Sequence, residues 1–272
     1  MLRTGILPNF LIVGAARGGT TNFAAYLRGH PEVFMPPKRP EPHFFLKDPE
    51  YSKGLAYYSE KYFATAGAVH AVGEASTSYV CHRFVAERIA RDLPGVRLFV
   101  MLRNPIPRAL SSYWHTVRNG LEPLSFPDAL KAESVRAAAA EHAADPLLKV
   151  IRPFAYVERG MYARQLRSYL DFFPRERLSV ILFEEFVADP IGVTRAACAF
   201  LGLDPSEFTP PPAARDELNQ STPAGESMDD DTFEFLRSAY RDDVRDLSGL
   251  LDRDLSGWLD RRTDGPSAAR AS

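Results

Sequence analysis

FLIVGAARGGTTNFAAY, residues Phe10 to Tyr26, decides the fold. Phe10-Leu11-Ile12-Val13 is a short apolar run, partly β-branched, of the kind that forms a strand buried on both faces. Three glycines follow within six residues, at Gly14, Gly18 and Gly19. Thr20-Thr21-Asn22 then offers capping residue types to a helix whose apolar face continues through Phe23, Ala24 and Leu27. Strand, glycine turn and helix N-terminus make an anion site, because free backbone N–H groups and the positive end of the helix dipole converge there. The stretch predicts a bound phosphate.

The interval from Gly14 to Gly19 is that of a Walker A loop, GxxxxGK[ST], but Thr20-Thr21 stands where Lys-Ser/Thr belongs. The cation lies inside the loop instead, as Arg17. An NTPase would lack its phosphate-gripping lysine, so nucleotide hydrolysis fits poorly. The GARGGTT segment resembles the 5′-phosphosulfate loop of sulfotransferases that use 3′-phosphoadenosine-5′-phosphosulfate (PAPS), a P-loop relative without a magnesium site. By that resemblance Ala16, Arg17, Gly18, Gly19, Thr20, Thr21 and Asn22 would surround the phosphosulfate, and PAP would be the nucleotide product. The plainer alternative is a glycine-rich turn with only a structural role.

Composition sets bounds. A chain of 272 residues and 30.3 kDa suits one α/β domain, read here as residues 1–262 with a disordered tail over 263–272. A formal net charge of −2 gives no electrostatic case for nucleic acid. Cys81 and Cys198 have neither metal-ligand spacing nor a disulfide framework, so no metal is expected. No apolar run approaches the ~18 residues of a membrane span, and MLRTGILPNF is too short for a signal peptide. The expected compartment is the cytoplasm.

Strands and helices alternate along the chain without an internal repeat. Further strands are expected at Val33–Met35, Val69–Glu74, Val96–Leu102 and Leu178–Phe183, and loops at 36–50 and 204–228. Helices are expected over 52–63, 78–92, 105–118, 127–143, 159–173, 189–202 and 229–261. This alternation predicts a three-layer α/β sandwich around a parallel, doubly wound sheet, and the resemblance implies the P-loop-like sulfotransferase fold. Ligands of such sheets sit at the carboxyl ends of the strands, so the residues just after each strand carry the information.

After Val96–Leu102 comes Arg103-Asn104-Pro105, with Ser111 eight residues beyond Arg103, two turns into the following helix. A guanidinium is a rigid fork that matches a phosphate dianion. The pair resembles the family's Arg-[Asp/Asn]-Pro…Ser motif, which implies that Arg103 and Ser111 hold the 3′-phosphate of PAPS. Without that context they read as a capping arginine and a helix serine bonded one turn back.

The segment Lys38-Arg39-Pro40-Glu41-Pro42-His43-Phe44-Phe45 resembles the Lys-Glu-x-His-Phe-Phe segment of the glycosaminoglycan sulfotransferases, whose glutamate is the catalytic base. Sulfuryl transfer needs such a group, because the acceptor's proton must leave as the new S–O bond forms. The resemblance thus implies Glu41 as base, with His43 orienting it, touching the acceptor or taking the base role itself. Arg17 would stabilise charge developing on the leaving phosphate. Phe45, Glu74, Tyr79 and His115 are candidate acceptor contacts.

The chain also departs from the family pattern. Arg17 stands where the glycosaminoglycan enzymes have lysine, and arginine cannot give up a proton to the leaving group. Gly73-Glu74-Ala75-Ser76-Thr77-Ser78-Tyr79 resembles Glu-Lys-Ser/Thr-Pro-x-Tyr but has Ala75 in place of lysine, removing one contact to an anionic substrate. Arg215 to Thr222 is expected to close over the cofactor. The expected reaction is sulfo transfer to a hydroxyl or amine of a carbohydrate, glycolipid or small natural product. The alternatives are a P-loop small-molecule kinase and a non-catalytic nucleotide-binding relative. The sequence does not identify the acceptor or the oligomeric state.

Overall fold

The computed structural model describes residues 5–36, 41–141, 151–211 and 228–261. Five strands form one sheet: β1 (Phe10–Gly14), β2 (Val33–Phe34), β3 (Ala71–Ala75), β4 (Arg97–Leu102) and β5 (Leu178–Leu182). All pairings are parallel and the order is β2-β3-β1-β4-β5. β1 is therefore central, with Phe10 opposite Gly73 on one side and Arg97 on the other. Its five residues are all buried, as the continuous apolar run requires of a strand covered on both faces.

The period-two alternation of the strands sorts their side chains into two cores. Phe10, Ile12, Phe99, Met101 and Ile181 face one layer, packed with Phe23 and Tyr26 of α1 (Thr20–Leu27) and with Ala197 and Cys198 further along. Leu11, Val13, Leu98, Val100, Leu102 and Leu178 face the other, larger core. Helices α3 (Gly54–Phe63), α4 (Arg83–Asp92) and α5 (Pro105–Arg118) cover that second face. The result is the expected three-layer α/β sandwich. Gly73 is required within it, since a Cβ there would lie 2.3 Å from the Phe10 ring.

Helix boundaries depart from expectation at several points. The stretch 78–92 opens as a 3₁₀ turn at Tyr79–Cys81, and α4 begins only after His82, whose backbone is extended. The sequence predicts a loop over 36–50, yet Asp48–Tyr51 form the short helix α2. The stretch 127–143 divides into α6 (Phe126–Lys131), capped by Ser125, and α7 (Glu133–Glu141). Next come α8 (Tyr162–Leu170), shorter than expected, and α9 (Phe183–Ala188), which periodicity missed. α9 is separate from α10 (Pro190–Leu201) because Asp189 precedes a proline, leaves helical dihedrals and caps α10 by accepting from the Gly192 N–H. The helices expected over 229–261 are α11 (Asp230–Leu251), which ends at Asp252 in a left-handed conformation, and a 3₁₀ turn at Ser256–Leu259.

Candidate active site

The carboxyl ends of the strands converge on one edge, which gathers the segments singled out by the strand-end rule. After β1, the Ala15 N–H donates to Met101 O of β4 at 2.8 Å and the Gly18 N–H returns to Ala15 O at 2.9 Å, folding the loop tightly against its neighbour. Glycine is needed at position 18, because a Cβ there would lie 2.5 Å from Met101 O. It is needed at position 19 as well, where φ is +92° and a Cβ would strike the Phe183 ring. α1 starts directly from Gly19 and no side chain caps it. Thr20, Thr21 and Asn22, expected as capping residues, lie within the first turn instead.

Arg17 adopts a left-handed backbone conformation at the loop's turn, and its Nε donates to Ser111 Oγ of α5 at 3.0 Å. Asn104 caps α5 by accepting from the Ile106 N–H at 3.0 Å, with Pro105 in the first turn. That cap sets the helix phase that turns Ser111 to the loop. The Arg103 guanidinium lies 4.9 Å from the centroid of the Phe183 ring, the ring that also abuts Gly19. Burial draws Arg103 below its usual pKa.

Glu41 and His43 approach from the loop after β2. Glu41 Oε2 lies 3.1 Å from His43 Nε2 and accepts the Thr77 N–H at 2.9 Å, and the Thr77 hydroxyl donates to the same carboxylate at 3.1 Å. Burial alone pushes the Glu41 carboxyl up, but His43 and the two Thr77 donors outweigh it and hold the group below the ordinary carboxylate range. His43 is itself fixed by donation of its backbone N–H to Ser76 Oγ at 2.8 Å. Its buried Nδ1 has no hydrogen-bond partner among the described residues.

A cleft of about 680 Å³ brings together Ala16, Arg17, Thr20, Glu41, His43 and His115, all expected at the site. Lys47, Thr77 and Ser112, from loops 36–50, 75–82 and 112–126 that the sequence turns to the cleft, also line it, as does Arg159, which sequence reasoning missed. Thr77 was within reach of the strand-end rule, since it lies two residues beyond β3; Arg159 was not, being brought in by donation to Ser78 Oγ at 3.0 Å. Three expected acceptor contacts are corrected. Phe45, Glu74 and Tyr79 are completely buried and form the floor under the Glu41 loop, with Phe45 packed edge-on against Tyr58 and Tyr79. Aromatic residues after a strand read equally well as cleft or core, and the tight Phe44–Tyr58 stack draws this segment inward. Lys38, Arg39, the 263–272 tail and the proposed closing segment Arg215–Thr222 lie outside the described residues.

The cleft combines a phosphate-sized loop with an internal arginine and a carboxylate–imidazole pair. It can bind an anionic group at the loop and accept a proton at Glu41 or His43. Comparison with known proteins is consistent with this geometry. A bacterial sulfotransferase from Alicyclobacillus acidocaldarius has a similar structure, with a TM-score of 0.77 and 36% identity over 94% of this chain and 100% of that one. Heparan sulfate glucosamine 3-O-sulfotransferase 6 of Homo sapiens is 35% identical over 196 residues, which are 72% of this chain and 52% of that protein. The bifunctional heparan sulfate N-deacetylase/N-sulfotransferase 2 of Bos taurus is 30% identical over 73% of this chain and 22% of its own length. The chain thus spans about half the length of the curated relatives it matches, or less. The sulfotransferase domain family model matches residues 7–222, most of the sequence and all five strands, so the chain belongs to the sulfotransferase domain family.

Proposed function

We propose that this protein transfers a sulfo group from PAPS to a hydroxyl or amine of a carbohydrate acceptor, with Glu41 as general base. The observation that carries the proposal is the presence in one cleft of Arg17, on the glycine loop, and of the Glu41–His43 pair. The residues present fit the nucleotide. Gly18 and Gly19 let the loop pack tightly against β4 and the Phe183 ring, the N-terminus of α1 carries no side-chain cap, and Arg17 and Ser111 are already joined beside it. Arg103 stands on the same sheet edge to receive a second phosphate.

PAPS supplies an activated sulfo group whose S–O bond to phosphate breaks as the acceptor's oxygen or nitrogen bonds to sulfur. The acceptor's proton passes to the Glu41 carboxylate, which is ionised at neutral pH because His43 and Thr77 stabilise its charge. A carboxylate held low is a weak base in water, but it is correctly charged and oriented by three donors before the acceptor arrives. Arg17 keeps its charge throughout and stabilises the phosphate oxygen that is freed. Relatives named for heparan sulfate support a sugar acceptor, as does the mixed polar lining around His115 and Arg159.

The test is incubation with PAPS and N-sulfated or N-acetylated heparosan oligosaccharides without metal, read by mass spectrometry. A gain of one sulfo group per product, with release of PAP, is expected. Failure of the protein to bind PAP in calorimetry without metal would overturn the reading.

A further inference from the structure

Beneath the cleft lies a carboxyl group that the proposed reaction does not use. Glu74, the fourth residue of β3, is completely buried. Its Oε1 accepts the Tyr58 hydroxyl at 3.1 Å, its Oε2 accepts the Ser76 hydroxyl at 2.8 Å, and the Tyr79 hydroxyl is a third partner. Two of these hydroxyls have a second task. Ser76 Oγ accepts the His43 N–H at 2.8 Å, and Tyr79 Oη accepts the Phe45 N–H at 3.2 Å. One carboxyl therefore reaches, through one side chain each, two alternate amides of the loop that carries Glu41 and His43.

The direction of these bonds depends on charge. An ionised carboxylate only accepts, so Ser76 and Tyr79 must point their single protons at Glu74 and keep lone pairs for the amides. A protonated Glu74 donates to one of the same three oxygens, which then turns its own proton elsewhere. The His43 backbone sits at φ +49°, a conformation that a histidine keeps only when its surroundings enforce it. We propose that Glu74 is a positioning residue: its carboxylate, acting through Ser76 and Tyr79, holds the His43–Phe45 backbone in the conformation that sets the Glu41–His43 pair in the cleft. This rests, for its kinetic consequence alone, on the reading of Glu41 as base.

The groups facing Glu74 are Tyr58 from α3, Tyr79 from the turn after β3, Tyr169 from α8 and Glu41 from the loop above. Burial raises its pKa to about 7; the hydroxyl donors oppose that rise and the charge of Glu41 adds to it. Once Glu41 has taken up a proton its repulsion of Glu74 disappears, and the carboxylate form of Glu74 is favoured.

Amide hydrogen exchange followed by NMR tests this without any acceptor. Relative to the amides of β4, Ser76→Ala should lower protection of the His43 amide at least tenfold, Tyr79→Phe that of the Phe45 amide, and Glu74→Gln that of both. Kinetically, Ser76→Ala should lower kcat about tenfold with KM for PAPS within twofold, and Glu74→Gln should remove the inflection near pH 7 from the kcat profile. Equal protection in wild type and Glu74→Gln, or a loss spread evenly over the sheet, would overturn the proposal. If Glu74→Gln fails to fold, the two relay variants decide it. A wild type that makes no sulfated product would sink the proposed reaction and leave the exchange result to judge Glu74.

Discussion

Arg17 Nε and Ser111 Oγ are 3.0 Å apart, although 94 residues separate them in sequence. The bond ties the glycine loop after β1 to the helix after β4, so the two halves of the proposed nucleotide site are one unit. Arginine is suited to this position because its planar fork carries five N–H donors, of which Nε–H serves Ser111.

From that unit, Arg103→Ala should weaken PAP binding by about tenfold or more, since a charge-assisted hydrogen bond contributes roughly 1.5–3 kcal/mol. The variant should bind PAP and adenosine 5′-phosphate with similar affinity, whereas wild type should prefer PAP. Calorimetry with both nucleotides decides it; a wild type indifferent to the 3′-phosphate would remove Arg103 from that role.

Glu41→Gln should leave PAP affinity nearly unchanged and lower turnover by roughly two to four orders of magnitude, the range for a lost general base. Arg17→Ala should damage both affinity and rate. If Glu41→Gln keeps its turnover while His43→Ala abolishes it, the base is His43, which the 3.1 Å contact between the pair allows.

Glu41 and Glu74 should make opposite contributions to stability as pH changes. Glu41 is held low in the folded state, so its contribution is present above the ordinary carboxylate pKa and lost as pH falls below it. Glu74 is raised to about 7, so its contribution is complete below the ordinary value near 4.5 and lost as pH rises through 7. Glu74→Gln cannot ionise and should gain stability relative to wild type between pH 5 and pH 8. The gain should reach up to about 3 kcal/mol, since each tenfold change in a proton-binding constant is worth roughly 1.4 kcal/mol. Denaturant midpoints of both proteins at the two pH values measure the difference; parallel pH dependences would contradict it.

Gly18→Ala should cost about 1–3 kcal/mol of stability, because the added Cβ meets the backbone oxygen of Met101 at 2.5 Å and the neighbour cannot yield as a side chain would. PAP binding should fall along with it, since relief of the clash moves the loop from β4. Thermal melting with and without PAP separates the two effects: a variant that melts lower but is stabilised by PAP as much as wild type would mean that the loop does not touch the nucleotide.

The sequence alone determined the layer architecture, because Phe10–Val13, Val96–Leu102 and Leu178–Leu182 are too apolar to face water on either side and alternate with helices. The glycine loop with Arg17 was legible from residue type and position after a strand, and Glu41 and His43 only from the resemblance of their segment to the glycosaminoglycan sulfotransferases; all three line one cleft. Tertiary structure decided which neighbouring polar and aromatic residues are functional surface and which are floor. Glu74 and Thr77 lie three residues apart, yet one is sealed under the loop while the other grips Glu41 at the cleft. Periodicity does not separate them, because the loop after β2 reaches over the end of β3 through contacts 33 to 36 residues apart, and only those contacts divide interior from site.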